Sequence, residues 1–131
     1  MKKSGILNAQ LMRCIAELGH KDLFMIGDAG MPIPAGVEIV DLVLVGGIPS
    51  FKQVMDAVLD ETCVEAYTIA TEIDENNPEL LGYISEKMTG LEETKIPHDD
   101  LKAMSAKCKF AIRTGETTPY PNIIMRAGVT F

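Results

Sequence analysis

Cysteine is scarce and unpaired in this chain. Cys14, Cys63 and Cys108 are odd in number and far apart, and no Cys-x-x-Cys occurs. Zinc and thioredoxin-like chemistry therefore have no support, and three buried free thiols in a reducing compartment are expected. Basic charge is short as well. Twelve Lys and Arg face 19 Asp and Glu, giving a net charge of −7, and the cations are scattered. That balance excludes nucleic acid, whose phosphates need a basic surface. No apolar run approaches the roughly 20 residues of a membrane span. Met1-Lys2-Lys3-Ser4-Gly5 is followed by Asn8, Gln10, Arg13 and Glu17 rather than by an apolar signal core, so the expected location is the cytoplasm. There is no P-loop, dinucleotide fingerprint or Gly-x-Ser-x-Gly, and no nucleophile sits beside a base. Histidine occurs only as His20 and His98, without His-x-His or His-x-x-x-His spacing, so no metal is expected.

What remains is ample for a core. Hydrophobic residues make up 47% of the 131, which fits one domain, 1–131. The mean hydropathy of +0.12 is apolar for this size and accords with burial between subunits. Leu7, Leu11, Ile15 and Leu18 recur at helical spacing. Asn8 suits the N-cap, Leu7 and Met12 a hydrophobic staple, and Gly19 the left-handed closing residue. Leu23 to Ile26 is continuously apolar, as in a strand covered on both faces. The Gly/Pro-rich segment from Gly27 to Gly36 predicts a binding loop. Val37 to Val45 reads as a strand interrupted at Asp41, and Phe51, Val54, Met55, Val58 and Leu59 as the buried face of a helix.

Cys63 to Ala70 predicts a strand with Val64, Ala66, Thr68 and Ala70 opposing Glu65, Tyr67 and Ile69. A polar loop, Thr71 to Asn77, leads to a helix opened by Pro78, carrying Leu80, Leu81, Ile84 and Met88 and ended by Gly90. A strand over Leu91 to Ile96 precedes a helix begun by Pro97-His98-Asp99-Asp100, with Leu101 and Met104 inward. Strands at Lys109 to Arg113 and Ile123 to Arg126 flank a long polar loop, Thr114 to Asn122. Alternating strands and helices predict an α/β fold: a mixed or mostly parallel sheet with helices on both faces.

In such folds ligands sit in loops beyond strand ends, which singles out Asp28 and the loop ending Tyr120-Pro121-Asn122. A phenol beside an amide, stiffened by Pro119 and Pro121, supplies several donors and acceptors and suits an uncharged polyhydroxylated ligand. His20 and His98 each lie at a helix–strand junction and suit acid–base work. Lys102, four residues after His98 on a predicted helix, is an accessory candidate, although a solvated lysine is the preferred reading. His20 and Asp28 flank the Leu23 to Ile26 run, so this stretch alone does not place both in one site.

Several ordered blocks resemble the RbsD/FucU sugar pyranase–mutarotase family: Lys3-Ser4-Gly5-Ile6-Leu7-Asn8, Leu18-Gly19-His20-Lys21-Asp22, Asp28-Ala29-Gly30-Met31-Pro32-Ile33-Pro34, Ile112-Arg113-Thr114-Gly115-Glu116, Thr118-Pro119-Tyr120-Pro121-Asn122 and Ala127-Gly128-Val129-Thr130-Phe131. Ala29-Gly30-Met31-Pro32 favours the ribose branch. The resemblance implies interconversion of pyranose and furanose forms of D-ribose without a cofactor. It implies His20 as the acid/base, with Asp28, His98, Tyr120, Pro121 and Asn122 binding the sugar. It also implies a homodecamer of stacked pentameric rings whose sites are completed by neighbouring copies. Pro121 stands where the family usually has a small residue; Pro serves if only its carbonyl is used, and fails if an N–H is needed. A fucose-type mutarotase or a non-catalytic sugar-binding module are the alternatives.

Overall fold

The centre of the molecule is a strand that runs against its neighbours. In a computed structural model describing residues 1–131, six strands form one sheet in the order β2-β5-β1-β6-β3-β4. They are β1 (Leu23–Gly27), β2 (Glu38–Asp41), β3 (Val64–Ala70), β4 (Glu92–Ile96), β5 (Cys108–Arg113) and β6 (Ile123–Ala127). β5 is parallel to both β1 and β2, and β3 is parallel to β4. β6 lies antiparallel between β1 and β3 and joins the two parallel groups. The sheet is mixed, as the alternation of elements predicts, within a single domain.

Five helices flank it: α1 (Ala9–Ala16), α2 (Phe51–Leu59), α3 (Ile73–Asn76), α4 (Pro78–Lys87) and α5 (His98–Ser105). Leu11 and Ile15 of α1, Phe51 and Met55 of α2, and Leu80 and Ile84 of α4 bury one sheet face with Phe24, Ile26, Phe110, Ile112 and Met125. The other face carries Met25, Ala111 and Ile124, covered by Leu101 of α5 and by Met31 from the loop after β1. β1 is thus buried on both faces, which explains its unbroken apolar run. None of the helices is long and apolar enough to cross a membrane.

Local chemistry sets most boundaries. Asn8 caps α1 by accepting from the Leu11 N–H at 2.9 Å. Ser50 and Gln53 form a reciprocal capping box on α2. Pro78 opens α4, and Gly90 follows it at φ +83°.

Several expectations need correction. The residue before the α1 N-cap that anchors is Ile6, buried with its N–H on Glu61, whereas Leu7 is 65% exposed and staples nothing. Gly19 is not left-handed; Lys21 is, at φ +69°, because the Asp22 carboxylate takes the Gly19 N–H at 2.6 Å and ties the turn to its own geometry. The strand after Val37 ends at Asp41, the polar stretch before Pro78 winds into the short helix α3, and Cys63 is exposed at a surface cleft rather than buried in the core.

The last is the alternation of β3. Val64 pairs with Ala127 and Ala66 with Arg126, leaving Glu65 as an extra residue between them. This bulge puts Val64 on the same face as Tyr67 and Ile69, against the α1, α2 and α4 side.

Candidate active site

The loops beyond the β1 and β5 C-terminal ends and before β6 close around a cleft of about 470 Å³ lined by Asp28, His98, Glu116, Thr118 and Tyr120 among others. That size falls in the range of small-molecule sites. Asp28 follows β1 directly. Its Oδ1 accepts from the Gly30 N–H at 2.8 Å and its Oδ2 from Asn122 Nδ2 at 2.8 Å. The Asp28 N–H in turn donates to Asn122 Oδ1 at 3.0 Å. Asn122 is fully buried, so its whole side chain is committed to fixing Asp28.

The Tyr120-Pro121-Asn122 turn has a clear cause. The Asn122 N–H donates to the Tyr120 carbonyl at 2.9 Å, a three-residue turn centred on Pro121. The fixed φ of proline suits that turn, and no N–H is asked of it. Tyr120 takes φ +59°, and its ring meets the His98 ring edge-on at 5.1 Å between centroids. Pro121 is buried and sits behind the cleft rather than on its lining.

His98 is the first residue of α5. Its backbone N–H donates to both Glu72 oxygens at 3.0 Å, and that bond is the main reason the Glu72 carboxyl is held below its ordinary value. The ring Nδ1 is buried without a hydrogen-bond partner. Lys102 lies one turn on, pairs with Asp99 at 3.3 Å and does not line the cleft.

Glu116 organises the wall. Its Oε2 accepts from the Phe51 N–H at the start of α2, and its Oε1 from the Thr117 N–H, the Thr118 N–H and the Thr118 hydroxyl. Its carbonyl receives the Ala29 N–H at 3.0 Å. Burial pushes the carboxyl up, but these bonds outweigh it and hold the group below the usual carboxylate value. Glu116 therefore ties the 114–120 loop to α2 and to the Asp28 loop.

His20 is elsewhere. The five residues of β1 separate it from Asp28, which is about 16 Å of strand at ~3.3 Å per residue. It lines a separate cleft of about 440 Å³ with Leu18, Thr62, Cys63 and the 127–131 tail. Its ring Nε2 lies 3.0 Å from Glu65 Oε2. Glu65 Oε1 accepts from Arg126 Nε at 2.7 Å, and Arg126 Nη2 donates to Glu92 at 3.1 Å. The hydrogen bond to His20, opposed by burial and aided by Arg126, holds the Glu65 carboxyl below its ordinary value. The turn carrying His20 is pinned by Asp22, whose carboxylate takes Lys109 Nζ at 2.7 Å as well as the Gly19 N–H.

Within one chain, then, Asp28, His98 and Tyr120 come together with Asn122 behind them, while His20 and Lys102 stand apart. Asp28 does not orient His20; Glu65 is the carboxylate that touches it. Glu65, Glu72 and Glu116 escape sequence reading because each acts across a long chain separation. The one available signal is a carboxylate inside the otherwise buried strand β3.

The family model for the "RbsD / FucU transport protein family" matches residues 1–130. A D-ribose pyranase of Geobacillus kaustophilus is 50% identical over 131 residues, covering all of this chain and 96% of that protein. The structure of Bacillus subtilis RbsD complexed with D-ribose superposes with a TM-score of 0.96 at 40% identity, covering 100% of both chains. A fucose mutarotase from Streptococcus pneumoniae, solved with L-fucose, shares the fold at TM-score 0.80 and 22% identity over 95% of each chain.

Proposed function

Since this chain belongs to the RbsD / FucU transport protein family, we propose that it is a D-ribose pyranase that interconverts the pyranose and furanose rings of D-ribose. The observation that carries this reading is the cleft itself. A carboxylate, a phenol and an imidazole converge there, with no nucleophile paired to a base. Such a set binds neutral hydroxyls and transfers protons. The 40% identical Bacillus subtilis protein complexed with D-ribose supports ribose as the ligand.

The chemistry asks for little. A base removes the proton of the anomeric hydroxyl, an acid protonates the ring oxygen, and the ring bond breaks to an aldehyde. A different hydroxyl then adds to that aldehyde, giving the other ring size. No electrons or groups leave, so the reaction runs without a cofactor. Positioned general acid–base catalysis contributes about 10²- to 10⁴-fold, adequate for a reaction that proceeds slowly in water. We assign proton transfer to His20. Asp28, His98, Tyr120 and Asn122 hold the sugar, and Pro121 shapes their turn.

This assignment requires two copies. His20 and the Asp28 cleft lie at opposite ends of β1 in one chain, so His20 of one copy completes the cleft of another. Exposed Leu7, Leu44, Val45 and Ile48 supply apolar surface for such contacts, and a homodecamer of two stacked pentameric rings accommodates them. The setting is the cytoplasm, where the β-pyranose and β-furanose forms feed ribose utilisation.

Magnetisation-exchange NMR on the ring forms of D-ribose tests this, with L-fucose as the comparison sugar. The protein should accelerate ribose exchange and H20A should abolish the acceleration. Ribose binding without faster exchange would replace the enzyme by a binding module, and faster exchange of L-fucose alone would replace the substrate.

A further inference from the structure

The bulge in β3 bears on the chemistry, given the reading of His20 as the proton carrier. Strict alternation from Tyr67 would turn Glu65 toward the apolar α1, α2 and α4 side of the sheet, the face that Tyr67 and Ile69 bury. A carboxylate there would be buried without a partner, which the loss of its hydration strongly disfavours. The extra residue in the register prevents this. Val64 and Tyr67 share the apolar face, and Glu65 and Ala66 together oppose Arg126. Bulges re-aim side chains in this way, and they concentrate beside active sites.

The re-aimed carboxylate is held on both oxygens. Oε1 accepts from Arg126 Nε at 2.7 Å, and Oε2 meets His20 Nε2 at 3.0 Å. Arg126 is fixed in turn by Glu92 at 3.1 Å. A carboxylate accepts only, so the His20 nitrogen facing it carries the proton. In neutral imidazole the other nitrogen, Nδ1, is then the base, and Nδ1 has no partner within the chain.

We infer that Glu65 is the positioning residue of the proton shuttle, holding His20 through Nε2 and leaving Nδ1 as the atom that takes and returns the substrate proton. The proton passes from the anomeric hydroxyl to Nδ1, giving an imidazolium paired with the Glu65 carboxylate. Nδ1 then returns it to the ring oxygen as the ring carbon–oxygen bond breaks and its electron pair goes to that oxygen. Arg126 does not touch the sugar; it stops the carboxylate from turning away.

Long-range ¹H–¹⁵N NMR of the intact assembly at mildly alkaline pH reads the tautomer directly. The chain has two histidines, and the pattern that vanishes in H20A belongs to His20. The expected result is an Nε2–H tautomer in the native protein and its loss in E65A. In the ribose-exchange assay E65A should lose about tenfold or more in kcat, within the reach of general acid–base catalysis, while KM changes less than about twofold. E65Q, whose amide oxygen accepts the same hydrogen bond, should keep the tautomer and recover part of kcat. An Nδ1–H tautomer in the native protein would overturn the assignment. So would native exchange by E65A alongside an inert H20A. Native exchange by H20A would instead overturn the proton-carrier reading on which this one rests.

Discussion

The reciprocal pair Asp28–Asn122 allows a test in which charge and hydrogen bonding are separated. N122D removes the donor that Asp28 Oδ2 holds at 2.8 Å and sets a second carboxylate against the first. The lost charge-assisted bond is worth about 2 kcal/mol. Two like charges about 4 Å apart at an effective dielectric constant near 20 add about 4 kcal/mol. Proton uptake by one of the two limits that repulsion at pH 7 to a similar figure, about 1.4 kcal/mol per pH unit. The expected loss is therefore about 6 kcal/mol, toward the low end of a domain's entire stability. At about 4 °C per kcal/mol for a chain of this length, Tm falls by about 24 °C.

The sign with pH is fixed by the same geometry. Crowding raises the folded-state pKa of one carboxylate above its unfolded value. The penalty is present above that raised value and is relieved as pH falls through it, because the shared proton restores a donor. N122D should thus approach the native Tm near about pH 4–5. The swap D28N/N122D places an amide opposite a carboxylate again: the side-chain bond reverses direction, and the backbone N–H of position 28 still finds an acceptor oxygen at position 122. It should recover at least about 2 kcal/mol by a double-mutant cycle, yet still bind ribose poorly, since the carboxylate no longer stands at position 28. Thermal melts across pH and ribose titration by NMR measure both. An N122D protein with native Tm at pH 7, or a swap no more stable than N122D, would refute the argument.

Gly115 and Glu116 extend the test to the loop wall. A Cβ on Gly115 would lie 2.5 Å from the Ile48 carbonyl oxygen, with backbone rather than a movable side chain in the way. G115A should cost about 1–3 kcal/mol or more in chemical denaturation and weaken ribose binding as the 114–120 loop shifts. Because the Glu116 carboxyl is held below its ordinary value of 4.5, its contribution is complete above that value and fades as pH falls through its depressed folded value. E116Q should melt lower at pH 7 and lose less stability than the native protein between about pH 5 and pH 3.

Much of the fold was legible because it rests on local rules. The double-sided burial of β1 shows in an unbroken apolar run, and caps at Asn8, Pro78 and Gly90 act within a turn of their helices. Asp28, His98 and Tyr120 were legible as loop residues at strand and helix ends. The misreadings come from particular side-chain contacts, near or far in the chain, that override a generic local preference. Asp22 moves the left-handed residue from Gly19 to Lys21. The bulge facing Arg126 breaks the alternation of β3. Lys102 turns to Asp99 instead of joining His98 at the cleft. Glu116 gathers four donors, three from its neighbours Thr117 and Thr118 and the fourth from Phe51 across the fold.

The antiparallel strand β6 also governs when the protein becomes whole. It is the last strand made, at Ile123–Ala127, yet it occupies the middle of the sheet. Until those residues leave the ribosome, β2-β5-β1 and β3-β4 are two separate fragments, each with an open inner edge. Such edges recruit other chains, so a nascent or truncated chain is most vulnerable just before completion. Insertion of the five residues of β6 closes both edges at once. The same act brings Asn122 to Asp28 at one end and Arg126 to Glu65 at the other. A chain that stops before Asn122 therefore lacks the side-chain partner of Asp28 as well as that of Glu65.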